Sequence, residues 1–209
     1  MVADSFKVYK SFGEEERLMY SPVIRCPWCL GDELYIKYHD EEWGRPLRED
    51  QKLFELLILE GAQAGLSWLT ILKRREGYRK AFSGMRPEKI ARYGEKDVER
   101  LMGDSRIIRN RLKILSAVQN ARAYCAMMEG PAGFSQWLWD WVDGEPRINR
   151  FSTTQEVPAS TALSQEISRA LKKRGFTFAG PVIMYSFLQA AGLVNDHLLN
   201  CWRRSGQAG

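Results

Sequence analysis

Apolar residues recur every three to four positions through most of this chain and almost nowhere alternate, a pattern that restricts it to helices packed on helices. From Asp50, read as an N-cap, Leu53, Phe54, Leu57 and Ile58 stripe a helix that Gly65 ends. Ser67 then caps a second helix holding Trp68, Ile71, Leu72, Tyr78 and Phe82. Pro87 suits a first helical turn, and after Gly94 the spacing of Val98, Leu101 and Met102 marks another short helix. Ile114, Val118, Ala121, Cys125 and Met128 predict a long amphipathic helix, and Phe134, Trp137, Leu138, Trp141 and Val142 predict one that stops at the DGEP turn. Beyond the polar stretch NRFSTTQEVPAST, a helix closes on Lys172, Lys173, Arg174 and Gly175, cations and a glycine where the dipole and the cap want them. Pro181 opens the next helix, Gly192 stops it, and Asn195 is expected to cap a last one through Trp202. The predicted class is all-α. Residues 1–24 show no sustained period and read as an extension, and residues 203–209 as a frayed tail.

The charge balance, +5 on 209 residues, permits a polyanionic partner without requiring one. No run of about 18 apolar residues occurs, and the first residues lack the apolar core of a secretion signal, so a cytoplasmic protein without membrane contact is expected. Four cysteines are too few for a disulfide scaffold and would persist as thiols or metal ligands.

The chain contains two histidines, and each lies near a cysteine in a way ligand chemistry can use. On the expected last helix His197 and Cys201 are four apart and share a face; Cys26 and His39 bracket a span near the longer spacings of finger-like sites. Together they offer Cys2His2, a full tetrahedron with no position for water, hence a structural zinc, one per chain, joining the two ends of the sequence. The alternatives are ordinary surface or core histidines, or a redox pair formed by Cys26 and Cys29 in CPWC; the latter lacks the strand-rich setting such a motif needs.

Glu60 stands seven residues after Leu53 and three after Leu57, inside the apolar arc of its helix. A carboxylate there must meet a ligand, a cation or a solvated cleft, because unpaired burial costs several kcal/mol, roughly. A structural pair with an arginine or a helix N-terminus is the plain alternative. Trp28, Tyr35, Tyr38, Trp43 and Trp68 crowd the same third of the sequence. Flat rings beside an acid suit a nucleobase, although a simple aromatic core would also explain them.

The blocks CPWCLGDELYIKYHDEEWGRP, LEGAQAGLSWLTILKRREGYRKAF, RIIRNRLKILSAVQNARAY and LKKRGFTFAGPVIMYSFLQAAGLVNDHLLNC closely resemble the 3-methyladenine DNA glycosylase I (Tag) family, of the helix-hairpin-helix superfamily. The resemblance runs from about residue 25 to Cys201 and implies a two-lobed glycosylase domain over 25–202 that excises 3-methyladenine from alkylated double-stranded DNA. It implies zinc on Cys26, His39, His197 and Cys201, the same set that spacing suggests. Glu60, as the catalytic acidic group, and Tyr38 would hydrogen-bond the extruded base, Trp68 would stack on it, and Trp28 with Tyr35 would shape the pocket. KKRGFTFAGPVIM resembles the superfamily's hairpin, whose amides, here Phe178, Ala179 and Gly180, hold a phosphate; Lys172, Lys173, Arg174, Arg106 and Arg109 are further candidate DNA contacts. A monomer is expected, with the free base as product. Two departures from the superfamily pattern stand out: Val182 replaces a lysine nucleophile, and Asn195 occupies the usual aspartate position, with Asp196 shifted by one.

Overall fold

The computed structural model describes residues 23–205, so residues 1–22 of the expected extension and residues 206–209 of the expected tail lie outside the described residues. Ten helices in order carry the fold: α1 Glu33–Glu41, α2 Asp50–Gln63, α3 Trp68–Leu72, α4 Arg75–Ala81, α5 Pro87–Ile90, α6 Glu95–Met102, α7 Arg111–Met128, α8 Gly133–Trp139, α9 Ala162–Lys173 and α10 Pro181–Ala190, with a last turn at Trp202–Ser205. The class is mostly helical, as the periodicity predicts.

The central member is α2. Leu53, Phe54, Leu57, Ile58 and Leu59 are each at most 4% exposed, and burial of side chains this size contributes about 1.5 to 3 kcal/mol apiece. Asp50 does not cap it, as the sequence suggests; Glu49 holds the N-cap position, while the Asp50 carboxylate accepts from the Ser135 amide at 2.6 Å and so caps α8 across the chain. The helix expected from Ser67 to Phe82 breaks at Lys73–Arg74 into α3 and α4. The break lets Gly77 lie against the backbone of Arg106, where any Cβ would sit 2.5 Å from the Arg106 carbonyl oxygen.

The expected helix from Asn195 to Trp202 is not formed. Val194–Asn195 (β2) instead pairs in parallel with Arg147–Ile148 (β1), through Arg147 N–H to Leu193 O at 2.9 Å and Asn149 N–H to Asn195 O at 3.1 Å. The Leu199 amide continues the pairing to Phe151 O at 2.9 Å. Backbone groups that would close a helix are thus taken up by a distant segment, and the Asn195 side chain caps only a local turn, accepting from the His197 amide at 3.1 Å. Gly192 is required where α10 ends: its φ is +72°, and a Cβ would meet the Arg45 carbonyl carbon at 2.2 Å.

Candidate active site

A cavity of 330 Å³ opens between α1, the second half of α2, α3 and the face of α10. Trp28, Tyr35, Tyr38, Glu60 and Trp68, all singled out by sequence, line it together. Tyr38 and Trp68 form one wall, their ring centroids 5.5 Å apart; Trp28 meets Tyr35 at 4.9 Å and Trp43 at 5.0 Å on another.

Glu60 is 3% exposed, and its Oε2 has no hydrogen-bond partner among the described residues. Burial alone pushes its pKa up to about 8. Trp68 Nε1 is likewise buried without a partner. The Tyr38 hydroxyl is raised well above its ordinary value by burial and then by the nearby Glu60. An acceptor and a donor left unsatisfied in the wall of one cavity are a costly arrangement in a folded chain unless a ligand completes them. The arginine pair that could have explained Glu60 structurally is absent among the described residues: Arg75 and Arg79 bind Glu42 and Glu55 instead.

Sequence reasoning missed part of the lining. Gln63 lies one turn beyond Glu60 on α2 and was within reach of helical spacing, whereas Thr154, Val157, Ser186 and Gln189 arrive from distant segments. Asp196 also faces the cavity, but its carboxylate accepts from Tyr185 Oη at 2.5 Å, Gln189 Nε2 at 2.7 Å and Asn149 Nδ2 at 2.8 Å. Its lone pairs are held by the fold.

Behind the Trp28–Trp43 wall, Cys26, His39, His197 and Cys201 bring four ligand atoms within 4.8 Å of one another, all buried. The sulfur–nitrogen separations are 3.7 Å for Cys26 Sγ to His197 Nδ1, 3.5 Å for Cys201 Sγ to His197 Nδ1 and 3.4 Å for Cys201 Sγ to His39 Nε2. Zinc–sulfur bonds of ~2.3 Å and zinc–nitrogen bonds of ~2.0 Å in a tetrahedron require about 3.5 Å along such an edge. The remaining imidazole nitrogens have outer partners, His39 Nδ1 on Asp40 at 2.8 Å and His197 Nε2 on the Trp43 carbonyl at 3.2 Å. Asp40 is in turn gripped by Arg25 at 2.7 Å. The donor set fits a divalent metal. Cys29 stays outside it: its thiol donates to Cys26 O at 3.1 Å, and burial pushes its pKa up to about 11, which keeps it protonated and unlike a redox nucleophile.

The loop 174–180 between α9 and α10 presses on α2, where a Cβ at Gly61 would lie 3.4 Å from Phe178 Cβ. Phe178 itself has φ +49°. The amides of Phe178, Ala179 and Gly180 donate to no described residue, while the Ala179 carbonyl accepts from Ser168 Oγ at 2.6 Å. Lys172, Lys173 and Arg174 are exposed; the Arg174 guanidinium lies 5.0 Å over the Trp137 ring and donates to Ala170 O at 3.1 Å. Arg106 is paired with Asp104 at 2.7 Å, and Arg109 is exposed.

Comparison with known proteins places these features in a family. The sequence model described as methyladenine glycosylase matches residues 28–204. The chain is 51% identical over 177 residues to DNA-3-methyladenine glycosylase 1 of Escherichia coli (strain K12), covering 85% of this chain and 95% of that protein. A crystal structure of 3-methyladenine DNA glycosylase I (TAG) superposes with a TM-score of 0.84 at 50% identity, over 86% of this chain and 98% of the other. A variant of 3-methyladenine DNA glycosylase I crystallised with 3-methyladenine aligns with a TM-score of 0.83 at 38% identity, over 86% and 97%.

Proposed function

The chain belongs to the methyladenine glycosylase family, and from that premise we propose that it hydrolyses the N-glycosidic bond of 3-methyladenine in alkylated DNA, releasing the free base and leaving an abasic site. The observation that carries this reading is the buried, unpartnered Glu60 carboxyl at the floor of a ring-lined cavity of purine size.

Methylation at N3 places a positive charge on the purine. As the C1′–N9 bond breaks, its electron pair neutralises that charge, so the base leaves without prior protonation. Water adds to C1′ and gives its proton to solvent. The chain's own task is to draw the base from the stack and tell it from adenine. Trp68 supplies a stacking face and Tyr38 a hydroxyl, while Trp28 and Tyr35 close the sides. Glu60 accepts from base N–H groups, and the incoming cation favours its ionised form. Val182, 55% exposed at the start of α10, offers no amine for a Schiff base, in keeping with simple hydrolysis.

We assign the Cys26, His39, His197 and Cys201 cluster to one structural zinc, whose chemistry is to tie the first segment of the glycosylase domain, 25–202, to the last. The α9–α10 hairpin is taken as the phosphate grip of a helix-hairpin-helix, with Phe178, Ala179 and Gly180 as donors and Lys172 and Lys173 beside them. Past Pro181 the first turn of α10 adds the free amides of Val182 and Ile183 and the helix dipole. The protein is read as a cytoplasmic monomer; no described helix is long and apolar enough to cross a membrane.

The decisive experiment measures release of free 3-methyladenine from methylated DNA together with bound zinc. A module that only binds DNA would bind the duplex and release nothing. Two further results are expected. Lys172→Ala and Lys173→Ala should each reduce the slope of log affinity against log salt by about one unit if the side chain touches a phosphate. A slope unchanged in both would remove them from the interface. Cys29→Ser should retain both metal and excision; loss of either would return the CPWC pair to contention.

A further inference from the structure

One face of α7 bears Lys113, Ser116 and Asn120, at i, i+3 and i+7; Ser116 and Asn120 reach the hairpin loop, and Lys113 reaches the end of α2. Ser116 and Asn120 are buried, 7% and 3% exposed, unusual for polar side chains in the middle of a helix. Asn120 clamps the hairpin loop from both sides: its Oδ1 accepts from the Thr177 amide at 2.7 Å and its Nδ2 donates to the Thr177 carbonyl at 3.0 Å. The Thr177 hydroxyl donates to Ser116 Oγ at 3.0 Å. The clamped residue immediately precedes Phe178, whose positive φ needs its neighbours to fix it.

At the other end of the stripe the Lys113 ammonium donates to Ala62 O at 2.8 Å and Ala64 O at 2.6 Å. These are carbonyls at the C-terminal end of α2, two and four residues beyond Glu60, and a cation there opposes the helix's negative end. Only residues 64–67 separate that end from Trp68, so the ammonium is anchored at the start of the link between floor and stacking wall.

We propose that Lys113, Ser116 and Asn120 are positioning residues that use one rigid helix to hold the phosphate-gripping loop and the base-reading carboxyl at a fixed separation. The inference rests on the glycosylase reading above. Extrusion delivers the base a set distance from its own phosphate, so grip and pocket must be in register; a misplacement of about 1 Å can cost 10²-fold in rate. The contact of Phe178 with Gly61 is the third side of the same triangle.

Such a division of labour separates two affinities that general loosening would not. Lys113→Met should weaken binding of free 3-methyladenine, followed by tryptophan fluorescence, about tenfold and leave affinity for an abasic-site duplex within about twofold. Asn120→Leu should do the reverse. Lys113→Arg, which keeps two donors, should recover most of the base affinity. Asn120→Asp, which keeps the acceptor for the Thr177 amide and loses the donor, should recover part of the duplex affinity. If both affinities fall together in each variant, in step with a lowered Tm, or if neither falls, the positioning role is overturned. A wild-type protein that binds no free 3-methyladenine would overturn the functional reading itself, a different failure from loss of the split.

Discussion

Glu60→Gln is expected to lower excision of 3-methyladenine by about 10²-fold or more while making the folded protein more resistant to alkali. The first effect follows from removing the carboxylate whose buried Oε2 no described group satisfies, and with it the negative charge that would meet a cationic purine. The second follows from the sign of the linkage. A carboxyl moved from 4.5 to about 8 by burial binds more protons folded than unfolded between those values. Its stability contribution is therefore complete below pH of about 4.5 and is lost as pH rises through about 8. The full span of that loss is of the order of 3 to 5 kcal/mol, so the Tm of the wild type should drop across this window relative to that of the amide variant. Thermal melts from pH 5 to 9, beside single-turnover release of base, read both arms. Equal release by the two proteins would end the case for Glu60 as the base reader, and parallel melting curves would show that the carboxyl reaches solvent.

Cys201→Ala, or stripping the metal with a chelator, is expected to unfold the site rather than merely slow it. Structural zinc contributes on the order of 10 kcal/mol in small domains, comparable to the whole stability of a typical fold. Here the loss should be smaller than total, because the main core around α2, α7 and α10 does not include the cluster, whose apolar company is Leu198, Trp28, Trp43 and Phe151. A Tm lowered by 10 °C or more, loss of base binding and retained helical circular dichroism form the expected pattern. Unchanged melting after complete removal of metal would deny the ion its structural role.

Glu60 was legible because α2 is long and strongly periodic, so one acid on the buried arc stood out. The Cys/His cluster was legible because histidine is scarce. Its local geometry was not: His197 and Cys201 do converge, yet from an irregular segment whose amides and carbonyls pair near residues 147–151. No i, i+4 argument can see a partner almost fifty positions away. Helix α1 escaped notice for another reason, since its buried residues are confined to Tyr38 and His39 and its stripe is too thin to register. Asp32, which caps it by accepting from the Leu34 amide, was the available signal. Thr154 and Val157 come from a stretch with no pattern along the chain, and nothing along the predicted helix α10 marks Gln189 as facing the cavity.

The edge-on packing of Trp43 against His197, with centroids 4.6 Å apart, joins a residue near one end of the molecule to one near the other. A polypeptide that stopped ahead of His197 would therefore lack the ring that backs the Trp43 indole. A product truncated there would keep the helical body around α2 and lose the support of one rim of its mouth.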